Sequence, residues 1–244
     1  MNNTELHPYL KEGKIEGATK LILGSFPVYA CTNPDNPEKL KIRNMEGTVL
    51  FFYGSCRNRF WGLYHQYIDA SVTVPVNKAM ALKSFRKHNI AMSDIIESCT
   101  RKGTSALDSN LRGINYNTAM IQDFMQSGVT KILCTSKGVL ALLDKHIIPK
   151  LTGAHFNETL TNEFTDKFLS VIGGDSKSSA RPICRIYTYD GRNIISLAIP
   201  SPGSPQRQIS AFGYRSGSKL AYADQYFKMA FNWIKNEEDV LFLR

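Results

Sequence analysis

The sequence predicts an α/β fold, a three-layer α/β/α sandwich around a central, short and mostly parallel sheet. Two observations predict it. Apolar runs at 20–23 and 131–135 each end in a loop-forming cluster, Gly24-Ser25-Phe26-Pro27 and Ser136-Lys137-Gly138. Such runs alternate with helical periodicity, a βαβ signature that sets parallel strands between layers of helix. With no internal repeat and no second core, residues 1–244 read as a single domain.

Taken in order, the run at 20–23 is a buried strand leading into a loop, and ligands of open α/β sheets sit at such strand ends. From Cys31 to Met45 the chain is rich in Pro, Asn, Asp and Lys without period, which predicts an irregular surface excursion. Phe60, Trp61, Tyr64, Tyr67 and Ile68 recur at helical spacing, so a helix is expected to begin near Asn58. A second helix, Val76 to His88, delivers an apolar stretch from Asn89 to Ile96 that Asp94 interrupts. A buried carboxylate there needs partners, and a structural and a functional role are both open to it.

Ser98 to Gly113 is dense in charge and small polar residues and reads as a loop, facing either solvent or a polar ligand. Helices are expected at 117–127 and 139–150, around the strand at 131–135. Gly153 to Asp166 is weakly patterned, and Gly173 to Ser179 reads as a flexible loop without phosphate-loop spacing. Strands at 185–189 and 193–199 meet through the hairpin signal Asp190-Gly191. The three prolines of Pro200 to Arg207 predict a stiff, protruding loop, and Ser218 to Lys235 a closing amphipathic helix.

A formal charge of +9 favours a polyanionic partner. Five scattered cysteines without a C-x-x-C pair fit reduced thiols in a cytoplasmic protein, and the five histidines show no metal-ligand spacing. No metal is expected. The N-terminus lacks an apolar run of signal-peptide length, and no segment reaches the roughly 20 apolar residues of a membrane span.

The stretch with most chemistry is Tyr53-Gly54-Ser55-Cys56-Arg57-Asn58-Arg59-Phe60-Trp61. Gly54 permits close backbone approach, Arg57 and Arg59 bring charge, and a helix N-terminus favours an anion such as phosphate. Asn58 stands where loop becomes helix. It is an N-cap candidate, and a cap so placed can also face a pocket.

Three blocks together resemble the uracil-DNA glycosylase superfamily, and most of all its hypoxanthine-DNA (deoxyinosine) glycosylase branch. They are Leu21-Ile22-Leu23-Gly24-Ser25-Phe26-Pro27, Tyr53 to Trp61, and Ile90 to Asn110 with Asp94, Ser98-Cys99, Arg101-Lys102-Gly103 and Leu107-Asp108-Ser109 in the branch's order. The loop Pro200 to Pro205 takes the place of the superfamily's minor-groove loop. The chain departs from the commoner pattern at Phe26, where many members carry an Asp or Asn that positions water, and at Gly203, where a bulkier side chain is usual. The hypoxanthine branch is similar in having an apolar residue at the Phe26 position.

The resemblance implies a monofunctional glycosylase that hydrolyses the N-glycosidic bond of a deaminated base, hypoxanthine or uracil, flipped out of DNA. Asn58 would orient the attacking water, and Gly24, Ser25, Phe26, Pro27, Tyr53 and Gly54 would enclose the base. Arg57, Arg101, Lys102 and Arg207 would hold phosphates, and the loop of Pro200, Ser201, Pro202, Gly203 and Ser204 would press into the minor groove. No cofactor is implied, and a monomer is expected. Two other classes stay open: a nucleic-acid-binding protein on a glycosylase scaffold without catalysis, and a hydrolase of free nucleosides or nucleotides.

Overall fold

The computed structural model describes residues 4–32, 47–104, 107–176 and 182–237. Most of the excursion expected between Cys31 and Met45, and residues 177–179 of the glycine loop, lie outside them. The elements, in chain order, are β1 (Glu5–Leu6), β2 (Lys20–Gly24), α1 (Phe60–Tyr67), α2 (Lys78–His88), β3 (Ile90–Asp94), β4 (Ile96–Arg101), β5 (Leu111–Tyr116) and α3 (Thr118–Ser127). There follow β6 (Lys131–Cys134), α4 (Lys137–Leu142), β7 (His155–Phe156), α5 (Glu158–Val171), β8 (Cys184–Tyr189), β9 (Arg192–Ala198), α6 (Pro205–Gln208) and α7 (Lys219–Lys235).

The central sheet has six strands in the order β3-β2-β6-β9-β8-β7. Its first four are mutually parallel, and β8 and β7 continue it antiparallel. Every residue of β2, β3 and β6 is buried, as strands covered on both faces must be, and the molecule is an α/β/α sandwich. The chain runs from β2 outward to β3 and then returns to β6 on the other side. The order therefore reverses between β2 and β6, and a crevice opens at their carboxyl ends.

Local chemistry explains the element boundaries. Asn77, Ser136, Asn157 and Ser218 each accept a backbone N–H of the first helical turn, and Asn89 ends α2 in the left-handed conformation. Asp190 and Gly191 both have positive φ, the geometry of a tight hairpin turn between β8 and β9. The aromatic stripe of α1 packs inward: Trp61 stacks on Phe51 and Phe85, and its indole N–H donates to the Phe52 carbonyl at 2.8 Å.

Three expectations change. The weakly patterned Gly153 to Asp166 holds most of α5, whose buried face of Thr161, Phe164, Phe168 and Leu169 runs past the end of that window. Ser98 to Gly113 is not all loop, because β4 and β5 flank its turn and pair with each other, and β1 adds to the other edge of β4, in a small antiparallel sheet. The helix expected over 139–150 is α4 alone, followed by a π turn and a 3-10 turn containing Pro149. Proline cannot supply the N–H that would extend an α-helix.

At the opposite end of the sheet from the crevice, two buried lysines close the C-terminus of α7. Lys20 Nζ donates to the carbonyls of His88 and Lys235 and pairs with Glu237 at 2.6 Å, and Lys131 Nζ donates to the carbonyl of Asn236. These are the carbonyls that a helix end leaves without internal partners. Lys20→Met, which keeps the volume and removes the donors, is expected to cost about 2–3 kcal/mol in urea unfolding.

Candidate functional site

A cavity of about 420 Å³ fills the crevice, within the range of small-molecule sites. Its walls come from distant parts of the chain: the turn after β2 (Ser25, Phe26, Pro27), the segment before α1 (Tyr53, Gly54, Asn58), the end of β3 (Asp94) and the loop after β9 (Ser201 to Ser204). Of the base-pocket residues expected from the sequence, all but Gly24 line it, together with Asn58.

Gly24 lies just behind the wall, and its lack of a side chain shapes the site. A Cβ there would collide with the Tyr53 hydroxyl and with Asp94 Oδ1, while Tyr53 Oη–H donates to that carboxylate oxygen at 3.4 Å. Tyr53 itself has φ 51°, uncommon for a bulky residue. A turn holds it there: Gly54 N–H donates to Phe51, Val49 N–H donates to Gly54, and a Cβ on Gly54 would run into the Val49 carbonyl. Burial, and secondarily the Asp94 charge, push the Tyr53 phenol well above its ordinary value, so it remains a donor.

Sequence reading missed His7. Its side chain is fully buried, and its Nδ1 accepts the Tyr9 N–H at 3.1 Å. That bond assigns the proton to Nε2, which donates to Asp94 Oδ2 at 2.8 Å. Asp94 thus receives a donor on each oxygen, from residues 87 and 41 positions away. A histidine next to Pro8 gives no sequence signal of this pairing.

Asp108 is a second carboxylate on the cavity wall, accepting the Ser25 hydroxyl at 3.1 Å. Desolvation in the pocket mouth raises its pKa, with the Asp94 charge adding to the rise, while the Ser25 hydrogen bond and Arg101 oppose it.

Asn58 lies two residues before α1, and Arg59 occupies the cap position. Its Oδ1 accepts the Phe60 N–H at 2.9 Å. The capping expected of Asn58 is present one position early, and one lone pair of its carbonyl oxygen is used. A smaller cavity of about 200 Å³, lined by Cys56, Trp61 and Val74 to Val76, shares Tyr53, Gly54, Ser55 and Asn58 with the first.

The residues expected to hold phosphates separate into two kinds. Arg57, Lys102 and Arg207 are exposed, each beside or on a segment that lines the cavity. Arg101 is buried: it pairs with Glu5 at 3.3 Å, donates to the Pro27 carbonyl at 2.8 Å and lies over the Phe26 ring. It holds the pocket wall from behind and does not face a phosphate. The loop after β9 also differs from a projecting prong, because Pro200 and Pro202 are buried and Pro205 opens α6. Ser201 N–H donates to Gln208 Oε1, and Gly203 is left at the exposed tip.

Among the described residues no group of three or more His, Cys, Asp or Glu is placed to hold a metal ion, and no helix is long and apolar enough to cross a membrane. Comparison with protein-family models, curated proteins and solved structures finds no match to the chain.

The neighbours of Asp108 fix the sign of two shifts. Asp94→Asn removes a like charge and is expected to lower the Asp108 pKa. Ser25→Ala removes a donor to the charged form and is expected to raise it. Carboxyl-carbon NMR titration of the two variants checks both signs.

Proposed function

We propose that the chain is a DNA glycosylase of the uracil-DNA glycosylase superfamily, closest to the hypoxanthine-DNA branch, that releases a deaminated base flipped out of DNA. The observation that carries this reading is the convergence of Ser25, Phe26, Pro27, Tyr53, Gly54, Asn58 and the 201–204 loop on one cavity, large enough to admit a nucleobase, at a strand-order reversal. Three blocks that resemble the branch in sequence meet there, the third through Asp94 and Asp108, and the 201–204 loop joins them from some 175 residues beyond the first. Exposed Arg57, Lys102 and Arg207 near the rim, and the +9 charge, fit a polymeric anion better than a free nucleoside.

In this mechanism the extruded base enters the cavity, and C1′–N cleavage sends the bonding pair onto the base as the sugar becomes an oxocarbenium-like cation. The Asp94 carboxylate, fixed by His7 and Tyr53, supplies negative charge toward that cation. Asn58 orients water with the Oδ1 lone pair that Phe60 leaves, and water adds to C1′ while its proton goes to the departed base anion, which leaves as the neutral base. Backbone amides of the turn after β2, at Ser25 and Phe26, hold the departing base.

A second reading is a duplex-binding protein without excision. Phe26 where a water-positioning group is common, and the partial use of the Asn58 carbonyl, favour it.

The test uses end-labelled duplexes carrying one hypoxanthine or one uracil, incubated without added metal and then treated with alkali. Wild type is expected to release one of the two bases, and Asn58→Ser, folded, to release it about 100-fold more slowly or worse. Binding without release, on both duplexes, would replace the glycosylase reading with the binding one.

Salt titration separates the two kinds of basic residue. Arg57→Ala, Lys102→Ala and Arg207→Ala are each expected to reduce the slope of log K against log salt by about 1. Arg101→Ala is expected to leave that slope alone and to lower stability by about 3 kcal/mol, the cost of breaking a buried pair.

A further inference from the structure

We infer that Leu107 is the side chain that enters the base stack when a nucleotide is drawn into the pocket. The inference rests on the glycosylase reading of that pocket and adds the part of the machinery that its proline-rich loop lacks. Drawing one nucleotide out of a duplex leaves a gap between its neighbours, and proteins that stabilise such a gap insert an apolar side chain. The loop after β9 has none to offer: Pro200 and Pro202 are buried, and the exposed tip is Gly203.

Leu107 meets the requirement by position. It is 65% exposed, and among the described residues it alone of the exposed large hydrophobic side chains lines the 420 Å³ cavity. A lone exposed leucine elsewhere would need no explanation. This one stands at a pocket mouth, at the head of the segment Leu107 to Arg112, which is held from several sides. Lys102 N–H donates to the Asn110 carbonyl at 2.9 Å, and Asn110 N–H donates to the Leu107 carbonyl at 3.0 Å. Arg112 Nη1 donates to the carbonyls of Ser109 and Leu111. The next residue, Asp108, is tied to Ser25 in the pocket wall.

A side chain on so braced a segment loses little freedom on insertion, and exposed Lys102, hydrogen-bonded to Asn110, and exposed Arg112 bring positive charge to the same segment for the strand it would part. The loop after β9, which lines the same cavity, has room for a substitute. A Cβ built on Gly203 meets nothing within 4 Å.

The test compares single-turnover excision of the same base from duplex and from single-stranded DNA, in wild type, Leu107→Ala and Leu107→Ala/Gly203→Leu. A parallel set of duplexes carries 2-aminopurine next to the target and reports unstacking by its fluorescence. The duplex to single-strand rate ratio is expected to fall about tenfold or more in Leu107→Ala, with loss of the fluorescence rise, and to recover in the double variant. An unchanged ratio in Leu107→Ala overturns the inference, as does an equal loss on both substrates, which would make Leu107 a pocket wall and no wedge. If wild type excises no base, the glycosylase reading fails separately, and fluorescence decides: an equal rise in wild type and Leu107→Ala overturns the wedge.

Discussion

The pocket depends on an absence. At Gly24 the backbone of β2 passes so close to the Tyr53 hydroxyl and the Asp94 carboxylate that no side chain fits. Three elements meet at that point: the strand β2, its parallel neighbour β3, whose last residue Asp94 pairs in register with Gly24, and the turn before α1. A carboxylate so enclosed is costly unless both oxygens find donors, and they do, from Tyr53 on one side and His7 on the other. The demand for close approach and the demand for hydrogen bonds are met by one arrangement, which leaves its orientation little choice.

The N-terminal segment belongs to this arrangement. Glu5 pairs with Arg101, Arg101 lies over Phe26 and holds the Pro27 carbonyl, and His7 lies edge-on to Phe26 at 5.7 Å. Residues that look peripheral in the sequence thus brace the cavity wall from behind. Phe26 has a structural reason to be apolar: its ring lies against a guanidinium and an imidazole.

Periodicity and turn chemistry made most of the sheet and helices legible in the sequence. The strand of β2, the stripe on α1, the Asp190-Gly191 hairpin and the helix α7 are read from residues within a turn or two of one another. The cavity wall from Ser25 to Gly54 was legible only as separate blocks. What the sequence hid was contact at long separation. Nothing local marks His7 as the partner of Asp94, or distinguishes Arg101, buried, from Lys102, exposed, one residue on. The helix α5 was hidden differently, because its apolar face straddled the limit of a window that began in a glycine turn.

The lysines at the far end of the sheet tie this arrangement to the chain's last helix. Lys20 begins β2 and Lys131 begins β6, and both reach carbonyls at the end of α7, for Lys20 a closure across 215 positions. Their partners assemble only when the two central strands lie side by side. Contacts of such separation carry a large loop-closure entropy and form late. Opening α7 would take from both ammonium groups the carbonyls that its end supplies. The last helix therefore acts as a latch on the strands that carry the crevice at their other ends, so that fraying at the C-terminus and loosening of the pocket become one cooperative event instead of two local ones.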